Sequence, residues 1–178
     1  MDGSSGIMSV NEQFLDRLKL GNGSSEEGVL DVQGGSYFGN TVIIAGSTSV
    51  KNIFETASVD PAVLTGTVNI DILSGSVYYF PNSAASAWTF NVRGNANTPL
   101  DGVMAVGQSL TFVCGCTQGP QGYFTNKLLV DGQYVYPKWQ GGVAPVAGNA
   151  GSVDMYYFTL IKTASKQYTS FASLTRFA

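Results

Sequence analysis

The stretch NKLLVDGQYVYPKW, residues 126–139, carries the clearest structural signal in the chain. Asp131 and Gly132 separate two runs rich in Val, Leu and Tyr, and this dipeptide favours the two-residue turn of a β-hairpin, in which both turn residues have positive φ. Pro137 has no amide proton to donate, so it either ends the second strand or places that strand at the edge of a sheet. The stretch therefore predicts two antiparallel strands joined by a tight turn.

Similar strand-like segments lie on both sides of this hairpin, separated by clusters of Gly, Asn, Ser and Pro. They are VNIDILSGSVYYF, SAWTFNVRG and QSLTFVCGC before it and MYYFTLIKT and YTSFASLTRF after it, while GYFTNKLLV and QYVYPKW contain the hairpin itself. Their spacing is typical of a sandwich of roughly seven or eight strands. We expect an all-β fold in which residues 61–178 form a jelly-roll-like β-sandwich. The strand order is not predictable from the sequence.

Composition supports this fold class and excludes several functions. The chain has 178 residues, enough for one compact domain and a smaller appended segment, and it contains 22 Gly, ten Phe and nine Tyr. Only 12% of the residues are charged and the formal net charge is -3, so the cationic surface that nucleic acids require is missing. No long apolar run and no signal peptide are found, so we expect a protein that is soluble when made and not inserted in a membrane.

Residues 1–28 are predicted to be a flexible N-terminus that includes one short helix. Ser9 and Glu12 have the spacing of a capping box, which marks the start of a helix of about three turns. Phe14, Leu15 and Leu18 form a narrow apolar stripe on that helix. The stripe is too small to stabilise the helix alone, so we expect it to dock on another molecule.

A twelve-residue repeat follows in residues 30–50, LDVQGGSYFGNTVIIAGSTSV, with Gly34 and Gly46 in matching places. Alternate residues of a strand share a face, so the repeat predicts one apolar side. That side consists of Leu30, Val32, Phe38, Val42, Ile44 and Val50. Two short units cannot cover it, and we expect three copies of the chain to bury it in a trimer formed by residues 29–60. The alternative is two ordinary strands packed on the downstream domain.

The two cysteines, Cys114 and Cys116, are two residues apart in a predicted strand. Closing a disulfide between such neighbours would distort the strand, so we expect two unpaired thiols. A metal site would need further Cys or His ligands. The sequence has no His and no third Cys, so neither a metal nor another cofactor is expected.

The absence of His also excludes catalytic triads and imidazole bases. Paired carboxylates of a glycosidase remain an alternative, with Asp60, Asp71, Asp101, Asp131 and Asp154 as the candidates. Asp60, Asp101 and Asp131 stand in turns or loops, where Asp serves backbone geometry. We therefore expect no catalytic residue and no enzymatic activity.

Aromatic side chains offer a different kind of site. The candidates are Tyr78, Tyr79, Trp88, Tyr134, Tyr136, Trp139, Tyr156 and Tyr157. Exposed rings among them would stack on the sugars of a glycan, whereas the more common role of such residues is to fill the core. In the adjacent pairs Tyr78–Tyr79 and Tyr156–Tyr157, one ring of each pair must be buried and the other must face outward.

Residues 136–163, YPKWQGGVAPVAGNAGSVDMYYFTLIKT, and residues 83–94, SAASAWTFNVRG, carry a resemblance to a known family. Their succession of PKWQGG, AP, AGN and a Tyr-rich strand ending in IKT resembles a C-terminal β-rich module of tail-fibre and virion structural proteins from marine and cyanobacterial phages. The similar region covers residues 68–178. Residues 30–50 are similar to the glycine-punctuated repeats of phage fibre shafts, whereas Cys114 and Cys116 lie outside the family pattern.

This resemblance implies a protein without catalysis that acts as a homotrimeric appendage of the virion. Its N-terminal part would join other virion proteins of the tail, baseplate or capsid, through Phe14, Leu15 and Leu18, and its β-domain would point outward. Made in the host cytoplasm, it would serve as a short tail fibre or a fibre connector, for assembly or attachment to a host surface glycan. The alternatives are a capsid decoration protein and a monomeric, lectin-like carbohydrate-binding module.

Overall fold

The computed structural model describes residue 42, residues 47–51 and residues 53–178. The chain divides into two compact units, Met1–Val50 and Lys51–Ala178, and every described strand belongs to the second unit. The strands are β1 (Ser58–Val59), β2 (Gly66–Asp71), β3 (Val77–Phe80), β4 (Trp88–Arg93), β5 (Ser109–Thr117), β6 (Leu128–Val130), β7 (Gln133–Val135), β8 (Lys138–Trp139), β9 (Val153–Ala164) and β10 (Gln167–Phe177). A short helix, α1, spans Leu100–Val103, and 3-10 turns span Ile72–Ser74 and Gln140–Gly142. Among the described residues, no helix has the length and apolarity needed to cross a membrane.

The strands form two sheets. The larger sheet has six strands in the order β1-β3-β5-β9-β10-β8, and the smaller has four in the order β2-β4-β6-β7. Aromatic side chains from both sheets meet between them: Phe90 of β4 lies 6.1 Å from Phe158 of β9 and 6.3 Å from Phe80 of β3, measured between ring centroids. The predicted all-β fold with two facing sheets is therefore confirmed.

The connectivity of the strands differs from that of a jelly roll. From β1 to β6 the chain alternates between the two sheets, and each returning strand pairs in parallel with the previous strand of its own sheet. The β10 to β8 pair is also parallel, and only the β5 to β9, β9 to β10 and β6 to β7 pairs are antiparallel. Jelly rolls are built from antiparallel Greek keys. The jelly-roll detail is thus corrected to two interleaved parallel ladders that are completed by antiparallel strands.

The predicted hairpin is confirmed. Leu128 pairs with Val135 across a two-residue turn, and the turn residues Asp131 and Gly132 have φ values of 50° and 78°. Strand β7 is an edge strand and ends at Val135, before Pro137. After Pro137 the chain enters β8, which belongs to the other sheet, so the segment predicted as one strand is two.

Two other predicted strands have different bounds. The segment 68–80 contains β2 and β3, which lie in different sheets and are separated by the 3-10 turn at Ile72–Ser74. In the segment 122–130, only Leu128–Val130 is a strand. In both segments, residues outside the strands also pack on the core, Ile72 in the first and Tyr123 in the second, so apolar content alone overestimates the length of the strand.

Most predictions for the N-terminal part fall outside the described residues. This applies to the helix with Phe14, Leu15 and Leu18, and to Leu30, Val32, Phe38 and Ile44 of the repeat. Val42 and Val50 are described and each is 53% exposed. Strand β1 lies within the range 29–60 assigned to the repeat and pairs with β3 of the sandwich. The trimer interface at the repeat stays a prediction.

Candidate functional site

The candidate aspartates have structural partners. Asp131 accepts hydrogen bonds from the amides of Leu100, at 2.7 Å, and Asp101, at 3.0 Å, and so holds α1 against the hairpin. Asp71 pairs with Arg93 at 2.6 Å across two neighbouring strands of the smaller sheet. Asp60 accepts a hydrogen bond from the amide of Ala62, two residues ahead, as Asp does in tight turns.

Asp101 is bound to a buried lysine that sequence reasoning did not identify. Lys162 is only 5% exposed, and its Nζ donates to the carbonyl of Met104 at 2.8 Å and contacts Asp101 Oδ1 at 2.7 Å. This contact lowers the pKa of Asp101 below its ordinary value of 3.8. The ionised carboxylate therefore balances a buried charge. A general acid needs a raised pKa, whereas the pKa of Asp101 is lowered.

Asp154 is fully buried at the start of β9. Its Oδ2 accepts hydrogen bonds from Gln118 Nε2 at 3.1 Å and from the Asn149 amide at 3.0 Å. Its Oδ1 has no partner among the described residues, and burial raises the pKa of this carboxyl above 3.8. The network ties the loop before β9 to the end of β5.

Each of the five candidate aspartates thus accepts a hydrogen bond or forms an ion pair within the described part of the chain. In the described ranges, no group of three or more Cys, His, Asp or Glu residues has the arrangement of a metal site. Cys114 and Cys116 are buried and unpaired, as predicted, and burial raises the pKa of the Cys114 thiol. A buried thiol with a raised pKa stays protonated and unreactive, because the thiolate is the reactive form.

The aromatic residues divide between core and surface as the alternation predicts. Tyr78 is 5% exposed and Tyr79 is 37% exposed, and Tyr156 is buried while Tyr157 is half-buried on the outer face. Trp88 and Trp139 pack edge-to-face against Tyr156 in the core. By contrast, Tyr134 and Tyr136 are 60% and 85% exposed, so these two rings are free for recognition.

The outward side of the six-stranded sheet is almost free of charge. The register places the outward residues of β1, β3, β5, β9 and β10 in continuous rows, for example Val77, Val113, Tyr157 and Ser173. We call this surface the uncharged face, and its apolar members are Val59, Val77, Tyr79, Val113, Val153, Met155, Tyr157, Ile161, Phe171 and Phe177. The remaining outward residues of these five strands are Thr, Ser or Gly, and Lys138 on the edge strand β8 lies at the border of the face.

The outward side of the four-stranded sheet has the opposite character. Asn69 and Asn91 are cross-strand neighbours joined by a 2.8 Å hydrogen bond, and Asp71 and Arg93 form the next pair in register. Asn91 also accepts a hydrogen bond from the amide of Gly132 in the hairpin. Polar side chains that bond to each other along a sheet suit a surface that faces water. The two faces of the sandwich therefore have different chemistry.

Two clefts meet at one end of this polar sheet. The larger, of about 530 Å³, is lined by the starts of β2 and β4 and by residues 124, 126 and 127; the smaller, of about 180 Å³, lies between residues 126–128 and 134–137. Asn126 and Lys127 line both clefts. Another cleft, of about 510 Å³, lies beside Trp139 and Arg176 at the edge of the larger sheet.

Glycines of the family-like motif serve the backbone. A Cβ on Gly148, within the AGN sequence, would lie 1.9 Å from the carbonyl oxygen of Tyr123. Its neighbour Asn149 bonds Asp154 through the amide and Ser152 through the side chain. The AGN part of the motif is therefore explained by the packing of its loop.

Comparison with known protein families, with curated proteins and with solved structures finds no match to this chain. The assignment of a function consequently rests on the geometry of the two faces and on the family-like sequence pattern.

Proposed function

We propose that this chain is a non-enzymatic structural protein of a phage virion, a short homotrimeric tail fibre or fibre connector. Its sandwich is displayed for assembly or host attachment, and its N-terminal part joins other virion proteins. The observation that carries the proposal is the uncharged face of the six-stranded sheet. A capsid appendage of the same trimeric design is the closest variant of this proposal.

The uncharged face has the area of a protein interface. Its five strands contain 38 residues, which at about 4.8 Å between strands and about 3.3 Å per residue present on the order of 600 Å². Stable protein interfaces bury about 800 Å² per partner. Apolar side chains gathered on one side of a soluble protein mark sites of association. The face is therefore close in area to one side of an interface between copies of this chain.

The chemistry of the face favours a second and third copy as its occupants. The chain has a formal net charge of -3, so identical chains repel each other wherever their charged surfaces meet. A face without charges avoids this repulsion. Three flat faces around a threefold axis would bury the rows centred on Val113 and Tyr157, while the polar sheet of each sandwich stays in water. This arrangement supports the trimer independently of the repeat in residues 29–60.

The mass of the full chain in solution tests the proposal. We expect sedimentation or mass photometry to give three times the chain mass of 18.8 kDa. Val113→Lys, in the centre of the uncharged face, should give folded monomers or a markedly weaker trimer, because it would bury an unpaired cation. Val106→Lys is the matched control, since Val106 lies in a loop and is 62% exposed.

Thr111→Glu provides a second variant on the same face, at a position that is already exposed and so tolerates the change in the monomer. A stable monomeric wild type would contradict the trimer and favour the lectin-like alternative. Trimers that persist in both face variants would remove the uncharged face from the interface. Electron microscopy of virions labelled with an antibody against the sandwich tests the location, and unlabelled particles would contradict it.

A further inference from the structure

We infer that the two clefts meeting at Asn126 and Lys127 form a binding site for a pyranose oligosaccharide. This inference deepens the proposed function, because it places host attachment on a defined surface of the displayed sandwich. The surface is named here the Tyr134 cleft. It is formed by Thr67, Thr89, Phe124, Asn126, Lys127, Tyr134 and Tyr136.

Polar side chains that face solvent line the Tyr134 cleft. Among the described residues, the side chains of Thr67, Thr89, Asn126 and Lys127 have no hydrogen-bond partner in the protein, and each is exposed or half-buried. One row further along the same sheet, Asn69 bonds Asn91 at 2.8 Å and Asp71 bonds Arg93. The polar groups of the smaller sheet thus change from bonding each other to facing solvent where the clefts begin.

Two exposed aromatic rings lie beside these polar groups. Tyr134 and Tyr136 are 60% and 85% exposed and line the smaller cleft together with Pro137. A pyranose has an apolar face of C–H groups and a rim of hydroxyls. It is therefore recognised by an exposed aromatic ring beside converging donors and acceptors. Asn126 supplies both donors and an acceptor, and Thr67 and Thr89 supply hydroxyls on the same side.

The backbone that carries both tyrosines is constrained. Pro137 restricts the residue before it, which favours an extended conformation at Tyr136. The hairpin that carries Tyr134 is fixed at its turn by two hydrogen bonds that the amides of α1 donate to Asp131, and by the bond that the Gly132 amide donates to Asn91. Side chains mounted on such a support lose less conformational entropy when a ligand binds.

Charge narrows the class of glycan. Lys127 is exposed and is the one charged residue lining either cleft. A carboxylate or other acidic substituent on the sugar would pair with it, whereas a cationic ligand would be repelled. A single cation is too few for a nucleic acid, which needs several phosphate contacts. We therefore expect a preference for acidic over neutral oligosaccharides.

The test uses the full chain and an array of bacterial surface oligosaccharides, neutral and acidic, followed by calorimetry with the best binder. Tyr134→Ala and Tyr136→Ala should each weaken binding roughly tenfold or more, as removal of a central aromatic anchor does. Tyr136→Phe keeps the ring and should retain most of the affinity. Lys127→Met should weaken acidic ligands more than neutral ones, while Lys138→Met, at an exposed lysine of the other sheet, should change neither.

The outcomes separate this inference from the proposed function. Absence of binding to every glycan on the array overturns the inference, and the trimer mass of the same sample reports independently on the virion proposal. Binding that is unaffected by both tyrosine variants places the site elsewhere and also overturns it. All four substituted residues are exposed, so a circular dichroism spectrum equal to that of the wild type is expected for each variant.

Discussion

Asp131 connects the hairpin turn, strand β4 and helix α1. It occupies the first position of the hairpin turn with φ 50°, its amide donates to the Val92 carbonyl at 2.9 Å, and its carboxylate receives the amides of Leu100 and Asp101. Asp and Asn tolerate positive φ better than other residues with a Cβ. A turn residue predicted from local sequence therefore also organises α1, which no local pattern indicates.

Asp131→Ala should lower the free energy of unfolding by about 1–3 kcal/mol, because two partly buried amides lose their acceptor. Asp131→Asn keeps an oxygen acceptor and the tolerance of positive φ, so it should cost less. Urea denaturation followed by tryptophan fluorescence measures both. Equal losses in the two variants would contradict the expectation that the one oxygen acceptor retained by Asn preserves part of the stabilisation.

The carboxyl groups of Asp154 and Asp101 should make the free energy of unfolding depend on pH in opposite directions. Burial raises the pKa of Asp154 above 3.8, so the folded protein binds a proton that the unfolded chain releases between these two pKa values. The ionised carboxylate therefore destabilises the fold above its folded pKa, and this cost disappears as the pH falls below 3.8. Arg176, its cross-strand partner on β10, offsets only part of the cost.

Asp154→Asn should accordingly raise the free energy of unfolding at pH 7, and the gain should shrink as the pH falls. The variant keeps an oxygen that accepts from Gln118 and Asn149. Denaturation curves of variant and wild type at matched pH values measure the difference, in which the opposite contribution of Asp101 cancels. A loss of stability at pH 7 would contradict the expected cost of the buried charge.

At the scale of elements, two loops define how the sheets close. The loop before β6 approaches the loop before β9 so closely that Gly148 has no room for a side chain against Tyr123. Gln118, at the end of β5, bonds both the amide and the carbonyl of Tyr123 and also Asp154. This three-way contact links β5, β6 and β9.

Gly148→Ala should lower the free energy of unfolding by at least about 2 kcal/mol, because the clash is with backbone atoms and cannot be relieved by a rotamer change. Gly102→Ala is the matched control. A Cβ on Gly102 meets Pro99 Cγ at an ordinary 3.9 Å, and Ala favours the helix in which Gly102 lies. Thermal melting of both variants gives the comparison, and equal melting temperatures would refute the packing argument.

The sequence predicts the hairpin and the long C-terminal strands, but not the parallel pairing of the strands. The hairpin at Asp131 and the long strands β9 and β10 follow from turn chemistry and from alternation, which are local. The pairings of Ser58 with Tyr78 and of Phe90 with Leu128 depend on residues far apart in the chain, so the parallel ladders could not be predicted. The same holds for the Tyr134 cleft. Its tyrosines were candidates from the sequence, whereas Thr67 and Asn126 join them only through the fold.

At the scale of the whole molecule, the two proposed surfaces lie on opposite sides of the sandwich. Trimerisation through the uncharged face leaves the four-stranded sheet, and with it the Tyr134 cleft, open to solvent in every subunit. Three identical sites would then act together on a surface that carries many copies of one glycan. Such multivalent contact raises the overall affinity without any new contact at the single site.

The two proposed trimer interfaces, the repeat in residues 29–60 and the uncharged face, can be tested separately. Val32→Asp or Ile44→Asp should weaken the trimer by several kcal/mol if residues 29–60 also bury an apolar side between chains. Dissociation on dilution, followed by mass photometry, compares these variants with Val113→Lys. Near-ultraviolet circular dichroism of the aromatic core reports that the sandwich remains folded. Trimers of unchanged stability in both aspartate variants would exclude the repeat from the interface.

The interleaved parallel ladders have a consequence for how the protein reaches its native state. Strands β1 to β6 join the two sheets alternately along the chain, so the six-stranded sheet is completed only by β8, β9 and β10, after all four strands of the smaller sheet. Strand β5 pairs with β3 on one side and with β9 on the other, so its second side stays unpaired until β9 has been synthesised. Strand β8 likewise stays unpaired until β10 has been synthesised. Topologies with such distant contacts fold slowly, in milliseconds to seconds. During synthesis the six-stranded sheet therefore stays incomplete until β10 has left the ribosome.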